Sequence, residues 1–201
     1  MRSCSRSTRP TTRRRRHLTT RRRHPTSPSA RAALAPGPTH GPARRGDRPQ
    51  TWEDPNVKGD ADVNGAFGDD DPVDVVEIGA ASLPMGSVTP VKALGVLSMI
   101  DDGELDWKVI AINAADPHAA DINDVEDIEK FYPGTVSGIR EWFRWYKTPD
   151  DKPVNGFGHG ERALNAAETK AVIAETNGHY KKLLSGETDA GKLWVPVAAA
   201  A

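Results

Sequence analysis

Apolar positions gather first into three short runs: residues 73–78 (VDVVEI), 91–100 (VKALGVLSMI) and 106–112 (DWKVIAI). Their β-branched content and the Gly and Pro residues between them predict three strands. Asp102-Gly103-Glu104-Leu105, between the second and third, suits a hairpin that brings Asp101 and Asp106 close together. Farther along, the apolar spacing becomes helical. Val125, Ile128 and Phe131 or Tyr132 share one face behind the capping pair Asn123 and Glu126, and Pro133-Gly134 ends that helix. Ile139, Trp142, Phe143 and Tyr146 form a second stripe, with Arg140 and Arg144 on the opposite face and Thr148-Pro149 as its stop. A third helix is predicted from about Glu161 to Leu184, with Leu164, Ala167, Ala171 and Ala174 on one face. It has a weak spot at Asn177-Gly178 and a C-terminal stop at Gly186. Strands followed by helices give an α+β order.

The first 48 residues do not share this patterning. Arg, Ser, Thr and Pro dominate them, and the prolines at 10, 25, 28, 36, 38 and 42 interrupt any helix, so residues 1–48 are expected to be a disordered basic segment. The globular domain is expected over 49–192, with a tail at 193–201. Acid-free and Arg-rich composition resembles a transit peptide, but the prolines oppose the amphipathic helix such a peptide needs. The preferred reading is that this stretch is not the protein's natural start.

The near-neutral formal charge of −1 hides a sharp division. Thirteen arginines precede Asp47, where no acidic residue occurs. The remaining 14 of the 27 basic residues face all 28 acidic ones, a formal charge of −14 for residues 47–201. Such a domain repels phosphate and nucleic acid unless cations intervene, which makes divalent metal the expected mediator and a specific nucleic-acid partner unexpected. The aromatics and arginines of EWFRWYK could stack on single-stranded nucleic acid, but the helical stripe explains them better. The sole cysteine, Cys4, excludes an intramolecular disulfide and fits a cytoplasmic location. No apolar run is long enough to span a membrane.

The densest chemistry lies at Gly68-Asp69-Asp70-Asp71-Pro72-Val73-Asp74, with four carboxylates at the mouth of a predicted strand. Crowded carboxylates raise one another's pKa and cost stability unless hard, oxygen-seeking cations neutralise them, so Mg²⁺ is the economical explanation. An EF-hand loop counted from Asp69 fails, because Val73 and Ala80 stand where ligands belong. A solvated acidic turn is the plainer alternative. A second group, Asp101, Asp102, Glu104 and Asp106, surrounds the hairpin turn, where like charges are destabilising without a bridging cation. Lys108 shares a strand face with Asp106 and would stand beside the metals. For Tyr146 and Lys147, spacing alone favours a core aromatic and a helix-terminal charge.

From Pro49 to Gly186 the chain resembles the eukaryotic-type soluble inorganic pyrophosphatases. PQTWEDPN, GDDDPVDVVEIG, VKALGVLSMIDDGELDWKVIAIN and REWFRWYKTPDDKP look like family segments, and Gly68, Asp69, Asp71, Pro72 and Asp74 match its G-D-x-D-P-x-D motif. The resemblance implies an OB-like β-barrel with helices packed outside. It implies that Mg²⁺ is held by Asp69, Asp74, Asp101 and Asp106, that Asp71 takes the proton of the attacking water, and that Lys108, Tyr146 and Lys147 contact phosphate. It further implies pyrophosphate as substrate and a homodimer. The family precedes PQTWEDPN with strands that supply a Lys, a metal-linked Glu, a phosphate-binding Arg and a Tyr. Here the basic segment stands in their place, so the barrel is expected to be incomplete at the N-terminus. The rival reading is a chain that keeps metal affinity but has lost phosphate chemistry.

Overall fold

The structure is a computed structural model that describes residues 44–195. The segment expected to be disordered lies outside the described residues up to position 43. Its last part does not follow the expectation, because Arg44–Asp47 forms a strand, β1. RRGD has no apolar alternation to announce it. It is recruited through backbone hydrogen bonds along the edge of β3 (Asp74–Glu77), in antiparallel register from Arg44 opposite Glu77 to Asp47 opposite Asp74. The ordered domain therefore begins before Pro49.

The remaining strands are β2 (Phe67–Gly68), β4 (Val91–Asp101), β5 (Glu104–Asn113) and β6 (Gly156–Phe157). They form one mixed sheet in the order β1-β3-β5-β4-β6, with β2 pairing the start of β5. β3 lies parallel to β5, placing Asp74 opposite Lys108. β4 and β5 form the predicted hairpin, but its turn is tighter than expected. Only Asp102 and Gly103 connect the strands, both at positive φ (49° and 94°), the backbone that an Asp-Gly pair tolerates best. The sheet ends in β1 and β6, which do not pair with each other among the described residues. It is a mixed sheet that does not close into a barrel among the described residues, in keeping with the incomplete barrel expected from the resemblance.

Among the described residues, three α-helices cover its two faces. α1 (Val125–Phe131) is capped by Asp124 with Asp127 as its reciprocal partner, one residue beyond the predicted pair. α2 (Thr135–Trp145) buries Ile139 and Phe143 as its stripe predicted. Together they close over Val76, Leu97, Met99 and Ile110. α3 (Ala166–Ser185) is capped by Asn165 with Glu168, five residues later than expected, and stops at Gly186 in the left-handed region. Val172 of α3 packs on the opposite face with Val75, Val96 and Val109. Its buried face is Ala166, Thr169, Val172 and Thr176, not the alanines at 167, 171 and 174, which are exposed. Asn177-Gly178 does not break it, since tertiary packing outweighs a glycine cost of about 1 kcal/mol. Coverage on both faces explains why the central strands are apolar on consecutive positions.

Candidate active site

Strand parity decides where the charged residues meet. Asp74 has the parity of Val76, Asp106 and Lys108 that of Ile110, and Asp101 that of Leu97 and Met99, so all four project onto the α2 face. Lys108 is fully buried, its ammonium 5.1 Å from the centre of the Phe143 ring, and it pairs with both Asp74 and Asp106. A buried ammonium holding two carboxylates satisfies charges that would otherwise be costly in the interior.

Beside this pair lies a cluster that the sequence reading only half saw. Glu53, Asp69 and Asp106 each bring one carboxylate oxygen to within 4.8 Å of the others. Backbone pairing holds Glu53 there: its N–H donates to the carbonyl of Asp71 at 2.9 Å, and the Asp70 N–H donates to its carbonyl at 3.0 Å. The indole N–H of Trp52 donates to Asp70 at 2.9 Å, while Asp70 takes a positive φ of 68°. Gly68 permits this close approach, because a Cβ there would stand 2.4 Å from the Glu53 carbonyl oxygen. One Glu53 oxygen accepts from the Trp107 N–H at 2.7 Å. The other, Oε2, is buried and has no hydrogen-bond partner among the described residues.

The electrostatics follow from this crowding. Burial, then the charges of Asp69 and Asp106, push the Glu53 carboxyl up to about 10. Burial, then Asp106, raises Asp69 to about 7. Asp106 is raised chiefly by burial, against the pull of Lys108. Carboxyls that resist ionisation, all-oxygen donors and an orphaned buried oxygen fit a divalent cation of the hard, oxygen-preferring kind.

The other expected site residues fall around this centre. Asp101 receives hydrogen bonds from the Tyr146 hydroxyl at 3.2 Å and from Lys147, both at the C-terminal end of α2, and its Oδ1 is buried without a partner among the described residues. Burial, then Asp101, raises the Tyr146 hydroxyl above its ordinary value. Asp71 is exposed beside Asp69, whose carboxylate accepts from its N–H at 3.1 Å. Asp74 is linked to Asp106 of the Glu53 cluster through Lys108 and is also paired with Arg45. The Nε of Arg45 donates to Asp74 Oδ1 at 2.9 Å. Glu53 and Arg45 were missed. Glu53 sits in a Trp-Glu-Asp-Pro run that reads equally as a turn, and Arg45 looked like one more charge of the basic segment. A separate group, Asp60, Asp62 and His159, is a surface feature in which Asp60 already caps a 3₁₀ turn through the N–H groups of Asp62 and Val63.

The family model described as inorganic pyrophosphatase matches residues 32–181. The chain is 52% identical over 145 residues to a chloroplastic soluble inorganic pyrophosphatase of Arabidopsis thaliana, covering 72% of this chain and 48% of that one. It is 60% identical over 139 residues to a chloroplastic relative from Chlamydomonas reinhardtii, covering 69% and 49%. It thus spans about half the length of these relatives. Among solved structures, the type I inorganic pyrophosphatase of Toxoplasma gondii aligns with a TM-score of 0.70 at 55% identity, covering 71% of this chain and 61% of that one. A truncated vacuolar soluble pyrophosphatase of Trypanosoma cruzi, solved in complex with PPi, aligns at 0.68 and 39% identity, covering 72% and 55%. With a family model matching most of its length and relatives sharing half of its aligned residues, the chain belongs to the inorganic pyrophosphatase family.

Proposed function

We propose that this chain hydrolyses inorganic pyrophosphate to two orthophosphates with Mg²⁺ as its cofactor. The observation that carries the proposal is the buried meeting of Glu53, Asp69 and Asp106 beside the Lys108 ammonium, an arrangement unstable without a cation and suited to one. The relative from Trypanosoma cruzi in complex with PPi supports the choice of substrate. Asp69, Asp106 and Glu53 would hold the cation, with Asp74 and Asp101 as the neighbouring carboxylates. Bound there, it would supply Lewis acidity and neutralise charge on the diphosphate.

The protein's own groups account for the rest. Water attacks one phosphorus, a new P–O bond forms as the bridging P–O bond breaks, and the leaving orthophosphate carries away the electron pair. Asp71, exposed beside the cluster, takes the proton from the attacking water. Tyr146 and Lys147 now point at Asp101, and a hydroxyl donor and an ammonium at that place serve to orient phosphate oxygens. Lys108, which the resemblance makes a phosphate contact, is fully buried and paired with Asp74 and Asp106, so its role in this reading is to hold those carboxylates in place.

The test is phosphate release from pyrophosphate by the purified full chain, with Mg²⁺ varied and chelator as control. Mg²⁺-dependent turnover is expected, with kcat of the Asp71→Asn variant lower by roughly 10²–10⁴-fold. Absence of turnover in a chain that binds Mg²⁺, or unimpaired turnover by the variant, contradicts the proposal.

A further inference from the structure

Asp74 has both of its oxygens taken by cations. Arg45 Nε donates to Oδ1 at 2.9 Å and Arg45 Nη2 reaches Oδ2 at 2.7 Å, while Lys108 also pairs with Oδ2. A two-pronged guanidinium contact of this kind fixes orientation as well as charge. It also competes with any divalent cation seeking the same carboxylate, because a metal and a guanidinium cannot occupy the same lone pairs.

The two cations differ in what they lose by leaving. Lys108 has no exposed surface, lies under the Phe143 ring and is shared with Asp106, so moving it strands two buried carboxylates. The Arg45 side chain is 52% exposed and stands on a four-residue strand at the edge of the sheet. Water receives the half-exposed guanidinium there at little cost, and the buried Asp74 still keeps Lys108 as its partner. Arg45 is therefore the partner that yields.

Its destination follows from its surroundings. The Arg45 guanidinium lies within electrostatic reach of the Asp106 carboxylate and near the Tyr146 hydroxyl as well as against Asp74, and so borders both the Glu53 cluster and the Tyr146–Lys147–Asp101 group. A phosphate held between those groups would present oxygens to a planar fork of donors, which binds phosphate as readily as carboxylate.

We propose that Arg45 is an exchangeable arm of the site: it holds Asp74 in the metal-free protein, yields it to a divalent cation, and then binds a phosphate oxygen of the diphosphate. This rests on the reading of the site as a metal-dependent pyrophosphatase. No signal in the sequence pattern assigns Arg45 a role, and its charge is the same as that of its neighbours in the basic segment.

The experiment uses the purified full chain and its Arg45→Gln and Arg45→Lys variants. Mn²⁺ binding is measured by the loss of the free-ion paramagnetic resonance signal. Binding of methylenediphosphonate, a non-hydrolysable diphosphonate, is measured by calorimetry at saturating Mn²⁺. Arg45→Gln is expected to bind Mn²⁺ more tightly, by roughly 3–10-fold, because no guanidinium competes for Asp74. It should bind the diphosphonate about 10-fold or more weakly, from the loss of a charge-assisted contact. Arg45→Lys keeps the charge without the fork and should fall between the two. Unchanged Mn²⁺ affinity in Arg45→Gln overturns the competition, and unchanged diphosphonate affinity overturns the exchange. If the unaltered chain binds no Mn²⁺, the reading of the metal site fails, and the role of Arg45 falls with it.

Discussion

Replacing Glu53 by Gln removes a proton-binding group while keeping the length of the side chain and an oxygen to accept from the Trp107 N–H. In the metal-free fold the Glu53 carboxyl is pushed up to about 10 by burial and by Asp69 and Asp106, whereas an unperturbed Glu titrates at 4.5. Between these values the folded state holds a proton that the unfolded state releases. The stability this confers is complete below about 4.5 and is lost as pH rises toward 10. At pH 7, two and a half pH units above 4.5, the loss relative to acid amounts to roughly 3 kcal/mol at 1.36 kcal/mol per unit. At pH 5 it is under about 1 kcal/mol. Gln ionises in neither state, so Glu53→Gln is expected to exceed the unaltered chain in stability by up to roughly 3 kcal/mol at pH 7, and by little at pH 5. Urea unfolding of chelator-treated full chain reads this as a midpoint increase of roughly 1–3 M at pH 7. With Mg²⁺ present the advantage should shrink or reverse, because Gln offers the cation no charge. A difference that is the same at both pH values, or a variant less stable than the unaltered chain at pH 7, would refute the reasoning, since either means that Glu53 is ionised in the metal-free fold.

Lys108→Met strips the ammonium from two buried carboxylates, and urea unfolding in chelator should show a loss of roughly 3–5 kcal/mol, partly restored by Mg²⁺. Gly68→Ala drives a Cβ to 2.4 Å from the carbonyl oxygen of Glu53 and 2.8 Å from that of Asp54, both backbone atoms. A loss of roughly 1–3 kcal/mol in thermal unfolding is expected. Because burial and neighbouring charges push Asp69 up to about 7 and Glu53 up to about 10, a cation binding at this cluster is expected to expel protons at pH 7. Mg²⁺ affinity should rise with pH, and calorimetry in buffers of different ionisation enthalpy should detect the released protons; buffer-independent heats would count against this set of ligands.

The sequence reveals the central sheet well, because β3, β4 and β5 are covered on both faces and their apolar runs announce it. The Asp-Gly turn and the α2 stripe are local signals of the same kind. β1 has no such signal: its four residues are held by backbone hydrogen bonds on an edge, and RRGD looks like the basic residues before it. The face of α3 was misjudged because alanines tolerate either side of a helix, and only the position of the sheet selects Val172 over Ala171. At the site, charge density pointed to two acidic clusters, at 69–74 and 101–106, and the family resemblance picked Asp69, Asp74, Asp101 and Asp106 from them, but their grouping in space is a matter of register. The parallel pairing of β3 with β5 sets Asp74 against Lys108, and the contact of Glu53 with the Trp107 N–H spans 54 positions, a closeness no local pattern encodes.

The two-residue turn between β4 and β5 also bears on the order in which the site is assembled. That hairpin needs only a short loop to close, whereas the parallel pairing of β3 with β5 must first enclose the whole hairpin strand β4. Local contacts form early and long-range ones late, so Asp101 and Asp106 share a ribbon before Asp74 and Glu53 arrive. The repulsion among the carboxylates is then felt only after the folding barrier has been crossed. It acts on the rate of unfolding and hardly on the rate of folding. A divalent cation bound there would lengthen the lifetime of the folded chain without hastening its formation.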